Sequence, residues 1–208
     1  MRQVIRACLG AALAIAIGVG QTAQAAMIGM PLNLKYQIER IKFDGPVLPP
    51  MAHIKFCMAY PSDCKTNKTK IVFRGGGVKL TPERYADLVA VNADVNRSIV
   101  PTRNERGVVG EEWIVAPSRG DCNDYAVTKR HQLLARGFPS RALLLAEVKT
   151  SWGEGHLILV VRTRNGDLVV DNLNANVRPW SKTNYKWVRM QSPEDPRYWS
   201  KVAGPTAV

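Results

Sequence analysis

From Arg141 onward the hydrophobic pattern changes period, and this change restricts the fold more than any other feature. "RALLLAEV" (Arg141–Val148), "HLILVVRT" (His156–Thr163) and "LVVDNL" (Leu168–Leu173) are short apolar runs rich in β-branched residues. Runs of this length between turn residues read as strands. Asn165-Gly166 separates the last two, and Asn-Gly between such runs is a strong hairpin signal. Upstream the spacing is helical. Thr81-Pro82-Glu83 gives a capping hydroxyl, a proline at the first position and an acid. That helix should run to Arg97 or Ile99 with Tyr85, Leu88, Val89, Val95 and Ile99 as its apolar stripe. Asn92 and Asn96 fall beside the stripe and read as amides capping neighbouring backbone. A second helix starts after Asp121 and runs to Arg136, where Gly137 and Pro139 stop it. Helices followed by at least three antiparallel strands predict an α+β fold, with helices packed on one side of an antiparallel sheet.

The N-terminus stands outside that fold. Arg2 and Arg6 precede an apolar run from Ala7 to Val19, and Ala23-Gln24-Ala25 has the small residues of a cleavage site. This reads as a signal peptide over residues 1–25, leaving 26–208 as a single domain, periplasmic or secreted. No later stretch reaches the roughly 20 apolar residues of a membrane helix. Residues 26–52 hold Pro31, Pro46, Pro49 and Pro50 and read as irregular surface chain. Residues 101–110 read as a polar loop. The net charge is +12, but its basic residues are scattered, with "KTNKTK" (Lys65–Lys70) the one local cluster. No nucleic-acid motif accompanies it, so no nucleic-acid partner is expected.

The cysteine count carries the functional argument. Cys8 leaves with the signal peptide, so Cys57, Cys64 and Cys122 remain. An odd number in an oxidising compartment leaves one thiol over. Cys57 and Cys64 lie seven residues apart in "FCMAYPSDC" and are expected to form a disulfide. A zinc site from His53, Cys57 and Cys64 is the rival, lacking a fourth ligand and Cys-x-x-Cys spacing. Cys122 is then the unpaired thiol, within "SRGDCNDYAVTKRHQLLARG".

A thiol attacks as thiolate, and a helix N-terminus or a nearby His lowers its pKa. Cys122 stands at a predicted helix start, where backbone N–H groups could also hold an oxyanion. The adjacent Asp121 works against the thiolate. His131 lies nine residues further along the same helix, about 13 Å at 1.5 Å per residue, out of reach. His156, opening a strand after "SWGEG", is the candidate base. Asp171, charged within an apolar strand, is the candidate that orients the imidazole. A two-residue Asn165-Gly166 turn would put Asp171 opposite Val160. His156 and Asp171 then share a face but stand about 13 Å apart. Contact requires a different register, through a bulge or a turn centred nearer Thr163-Arg164, so the turn is not expected to be a plain two-residue one. Trp152, Trp180, Trp187 and Trp199 are candidates for a substrate groove or for core.

A Cys at a helix start, a His at a strand start and an Asp in the next strand resemble the transglutaminase-like branch of the papain-like superfamily. "GDCNDYAVTKRHQLLARG", "GHLILVV" and "LVVDNL", with "FCMAYPSDC", resemble the bacterial transglutaminase-like cysteine proteinases over most of residues 50–190. That family includes periplasmic proteases that release surface adhesins. The resemblance implies a papain-like core with Cys122 as nucleophile, His156 as base and Asp171 as orienting acid. It also implies hydrolysis through a thioester acyl-enzyme. Transfer to an amine, as in transglutaminases, and a non-catalytic envelope binding protein are the alternatives. In the adhesin-releasing relatives, Glu follows the Cys and helps bind calcium; here Asn123 stands there. Asp121 and Asn123 could still offer oxygens to calcium, but no cofactor is expected to be required. The expected partner is a protein or peptide of the cell envelope, met by a monomer.

Overall fold

A computed structural model describes residues 40–66, 77–104 and 107–203. The segment read as a signal peptide, residues 1–25, and most of Lys65–Lys70 lie outside them. The elements in chain order are β1 (Phe43–Val47), α1 (Met51–Ala59), α2 (Pro82–Ser98), β2 (Val100–Pro101), α3 (Gly107–Gly110) and β3 (Arg119–Gly120). Then follow α4 (Cys122–Ala135), β4 (Leu143–Lys149), β5 (Gly155–Thr163), β6 (Gly166–Val170), β7 (Arg178–Pro179), β8 (Lys186–Gln191) and β9 (Trp199–Val202).

Seven strands form one sheet, ordered β1-β9-β8-β4-β5-β6-β7, and every neighbour in it is antiparallel. α4 lies across β4 and β5, and α2 packs on α4. This is the α+β layering that the change of period predicts. The two central strands are buried on both faces. Leu143, Leu145, Leu157 and Leu159 meet the helices through Leu88, Val95, Tyr125 and Leu133. Leu144, Ala146, Ile158 and Val160 meet Ile41, Val169 and Met190 on the other side. With water excluded from both faces, the strands read as unbroken apolar runs rather than alternating ones.

Both helices begin where the sequence places them. Thr81 accepts the Arg84 N–H at 3.3 Å, with Pro82 opening α2. Asp121 caps α4 by accepting the Asn123 N–H at 2.9 Å, and Gly137 ends it at φ +81°. Asn92 donates to the carbonyls of Asn174 and Ala175, and Asn96 to that of Asp171. They cap backbone, as read.

Three expectations need correction. Residues 26–52 are not irregular throughout, because β1 pairs with β9 and α1 begins directly after Pro50. A proline next to a helix start fits its fixed φ, so the prolines concealed an element boundary. The 101–110 stretch includes the short α3. The β5–β6 hairpin is also a plain two-residue turn after all, but over Arg164-Asn165, with Thr163 facing Gly166. The Thr163 hydroxyl donates to the Gly166 carbonyl and accepts the Asn165 N–H, and the Arg164 N–H is taken by Val78. Those bonds fix the turn one residue earlier than the Asn-Gly signal alone. Gly166 then carries the positive φ of 115° within β6.

Candidate active site

The turn's position decides what the strands bring together. Val160 pairs with Val169, so the register carried on sets Asp171 against Ile158, two residues from His156 on the same face. His156 Nε2 lies 2.8 Å from Asp171 Oδ1. The parity argument therefore holds, and the one-residue shift of the turn halves the separation that opposed it, from four residues to two.

Asp171 sits behind His156 at 1% exposure. Burial pushes its carboxyl up, but the hydrogen bond and charge of His156 hold it below the ordinary carboxylate range, helped by Tyr185 and the Leu173 N–H. Tyr185 donates its hydroxyl to Oδ2, and its ring stands 5.7 Å from the imidazole. The Leu173 N–H donates to Oδ1 at 3.0 Å. A buried carboxylate with this many donors stays charged and keeps the imidazole in one orientation. The sequence carried no signal for Tyr185, which lies in a polar stretch outside every motif.

Cys122 is the free cysteine among the described residues. It begins α4, the helix whose N-terminus meets the start of β5, and it lines a cleft of about 770 Å³ with His156, Asp121, Asn123, Glu111 and Trp152. The thiol is not primed by its helix end alone. Burial pushes it up to about 12; the Leu157 N–H pulls it down, while Asp121, Glu111 and Asp171 push it further up. Burial thus favours the neutral thiol, in a cleft that His156 also lines.

The helix start is built from interlocked acids. Asp124 accepts the Ile114 N–H at 2.8 Å and the Asp121 N–H at 3.1 Å. Burial raises its carboxyl to about 6. A Cβ at position 120 would run into Asp124, which accounts for the Gly of "GDC". Asn123 donates its amide to Glu111 Oε1 at 2.7 Å, and the Trp113 indole donates to the same oxygen at 2.8 Å. Burial raises the Glu111 carboxyl, the indole bond lowers it, and Asp121 and Glu147 raise it. Glu111 was not singled out in the sequence, since its partner lies 12 residues away.

Cys57 and Cys64 form a disulfide, with Cα atoms 5.5 Å apart. The zinc alternative needed both sulfurs as thiolates, and neither is. His131 binds Asp63 at 3.0 Å, away from the cleft. Of the four tryptophans considered for a groove, Trp199 is core, Trp180 and Trp187 pack partly buried against the sheet, and Trp152 is exposed in the cleft.

The sequence profile of the bacterial transglutaminase-like cysteine proteinases matches residues 44–207, and the chain belongs to that family. It is by that membership a cysteine peptidase. Among solved structures, Legionella pneumophila LapG is similar at 21% identity over 58% of this chain and 70% of that one, with a TM-score of 0.48. Its calcium-bound form matches at 21% identity over 62% and 77%, with a TM-score of 0.49. The EGTA-treated form matches at 20% over 58% and 71%, with a TM-score of 0.47. No curated protein matches the chain.

Proposed function

We propose that this protein is an exported cysteine peptidase or amidase working through Cys122, His156 and Asp171. The observation that carries the reading is the His156–Asp171 pair, 2.8 Å apart, with His156 lining the same cleft as the free thiol. His156 takes the thiol proton as the sulfur attacks the amide carbonyl carbon. The tetrahedral oxyanion lies at the N-terminal end of α4, where the helix dipole favours negative charge. The Asn123 N–H is spent on Asp121, so the reading assigns oxyanion binding to the Cys122 N–H. Imidazolium then protonates the departing amine, leaving a thioester. Water, deprotonated by His156, hydrolyses it and restores the thiol. Asp171 holds the imidazole in place and offsets its charge in both halves. Export rests on the basic, apolar and small-residue pattern of residues 1–25, together with the disulfide between Cys57 and Cys64. The substrate class is an exposed peptide of the cell envelope.

Calcium does not enter this cycle. The ion takes 6–8 oxygen ligands, ordinarily with several carboxylates. At the start of α4, Asp121 accepts the Asn123 N–H, and Glu111 accepts from both Asn123 and Trp113. One oxygen of Asp121 and one of Glu111 are already taken by protein donors, and the reading assigns the ion no step. EGTA is expected to leave turnover and melting temperature unchanged.

The peptidase reading is tested by incubating envelope protein extracts with wild type and Cys122→Ala and mapping new peptide termini by mass spectrometry. Termini made by wild type and absent with Cys122→Ala are expected. Identical maps would reject the reading.

A further inference from the structure

Among the exposed apolar side chains that line the cleft, two are tied to the imidazole of His156, and the mechanism gives neither a task. Trp152 is 62% exposed and Leu173 49%, and both line the cleft. Of the five tryptophans, Trp152 is the only exposed one. A single apolar residue at a surface is ordinary. Two of them held beside one reacting group call for something apolar to cover them.

The fold fixes where each stands. β4 and β5 stay paired as far as Val148 against His156 and Lys149 against Gly155, so the loop that carries Trp152 leaves the sheet beside the imidazole. Its own bonds close that loop. The Thr150 N–H donates to the Glu154 carbonyl at 2.9 Å, and the Gly153 N–H to the Thr150 carbonyl at 3.0 Å. The Glu154 N–H donates to the Thr150 hydroxyl at 3.1 Å. The Trp152 indole donates to Glu154 Oε2 at 2.8 Å, so its polar edge is satisfied while most of the residue stays in water. Leu173 follows Asp171 by two residues. Its N–H donates to Asp171 Oδ1 at 3.0 Å, the same oxygen that lies 2.8 Å from His156 Nε2. One carboxylate oxygen thus sets both the imidazole and the backbone of Leu173. β4 and β6 are the two neighbours of β5, so the two residues come to His156 from different strands. Side chains on backbone held this way lose little freedom on binding.

We infer that Trp152 and Leu173 form a subsite for an apolar side chain on the amine side of the scissile bond. The inference rests on the triad reading above, which also says which side of the bond is meant. His156 hands its proton to the departing amine, and Nε2 is held by Asp171, so that proton leaves from Nδ1. The residue that carries the departing amine therefore lies on the His156 side of the cleft, with Trp152 and Leu173. The carbonyl side lies toward the start of α4, with Cys122, Asp121 and Asn123. The substrate class narrows from any exposed peptide to one with an apolar residue directly after the cleaved bond.

The test reads the subsite from an incoming amine, which takes the place that the departing amine leaves. Cys122 of the full mature protein is acetylated with 4-nitrophenyl acetate, and glycinamide, leucinamide or phenylalaninamide is added at equal concentration. The amine nitrogen bonds to the acetyl carbon, the carbon–sulfur bond breaks, and His156 carries the amine proton to the sulfur. The yield of acetylated amide against acetate gives the partition between amine and water. Both products come from one acetyl-enzyme, so a general loss of activity cancels from this ratio. Wild type is expected to favour leucinamide and phenylalaninamide over glycinamide by about tenfold or more, the effect of a few methylenes entering an apolar site. Trp152→Ala should bring that preference below about threefold, and Leu173→Ser should lower it by a smaller factor. Trp152→Phe, which keeps an apolar ring and drops the bond to Glu154, should stay close to wild type. A preference unmoved in Trp152→Ala, or an acetyl-enzyme without preference in wild type, overturns the inference. So does an equal loss in Trp152→Phe and Trp152→Ala, which assigns the effect to the loop's bonding rather than to apolar surface. A wild type that takes no acetyl group on Cys122 removes the triad reading itself, and the subsite with it.

Discussion

Among the described residues one histidine touches a cysteine sulfur and another shares a cleft with a free thiol, and the two places are built differently. His53 Nε2 lies 3.4 Å from Cys57 Sγ, yet that sulfur is bonded to Cys64. The ring is buried, with the Trp199 indole donating to Nδ1 at 3.2 Å and the Gln191 amide 2.9 Å from Nε2. No carboxylate among the described residues hydrogen-bonds to it. Burial, then the charge of Arg130, pushes its pKa down to about 3, so the ring is a neutral packing group. His156 is almost as buried but leans on Asp171, and its cysteine is a free thiol in an open cleft. An imidazole and a sulfur are thus present at both places. The carboxylate behind the ring and the access of the sulfur to substrate separate them.

The contrast breaks first at Asp171. Asp171→Asn should lower kcat by about 10³–10⁴ with KM little changed, because the imidazole loses its charge partner and its fixed tautomer. His53→Gln should leave turnover within about threefold while lowering stability, as buried-group losses do. Peptide hydrolysis by both variants measures this, and equal losses would erase the distinction. Next in size is the disulfide. Replacing Cys57 and Cys64 together by Ala should destabilise by about 2.5 kcal/mol, the chain-entropy value for so short a loop, and leave Cys122 reactivity unchanged. Denaturant unfolding with parallel thiol labelling reads both quantities. The smallest effect is a titration. His53 is expected to remain neutral in imidazole NMR until about pH 3. Its folded pKa lies below its unfolded value, so its contribution to stability is complete above about 6.5 and is lost as pH falls from there toward 3. A ring titrating near 6.5 would contradict the packing assigned to it.

Much of the site was legible because short-range rules govern it. Thr81, Asp121 and Gly137 act on neighbours within a turn, and the structure uses each as read. Strand parity placed His156 and Asp171 on one face before any register was known. The hairpin turn was misplaced by one residue because the deciding bonds come from the Thr163 hydroxyl and from Val78, 85 residues away in the chain. The Tyr185–Asp171 and Glu111–Asn123 contacts escaped for the same reason: each joins partners that only the tertiary fold brings together. Lys129 and Arg130 are buried despite their charge, and no motif marked either. A helix covered on several sides by other elements loses the amphipathic pattern on which such readings depend.

The central claim is that Cys122 attacks with the proton taken by His156. It is tested most directly by acylation with the activated ester 4-nitrophenyl acetate, read by intact mass and peptide mapping. Wild type should show a burst of nitrophenol and one acetyl group on Cys122, released slowly by water. His156→Ala should acylate at least about 10²-fold more slowly with its fold intact. Acylation of Cys122 at the same rate in both proteins, or an adduct elsewhere, would contradict the account.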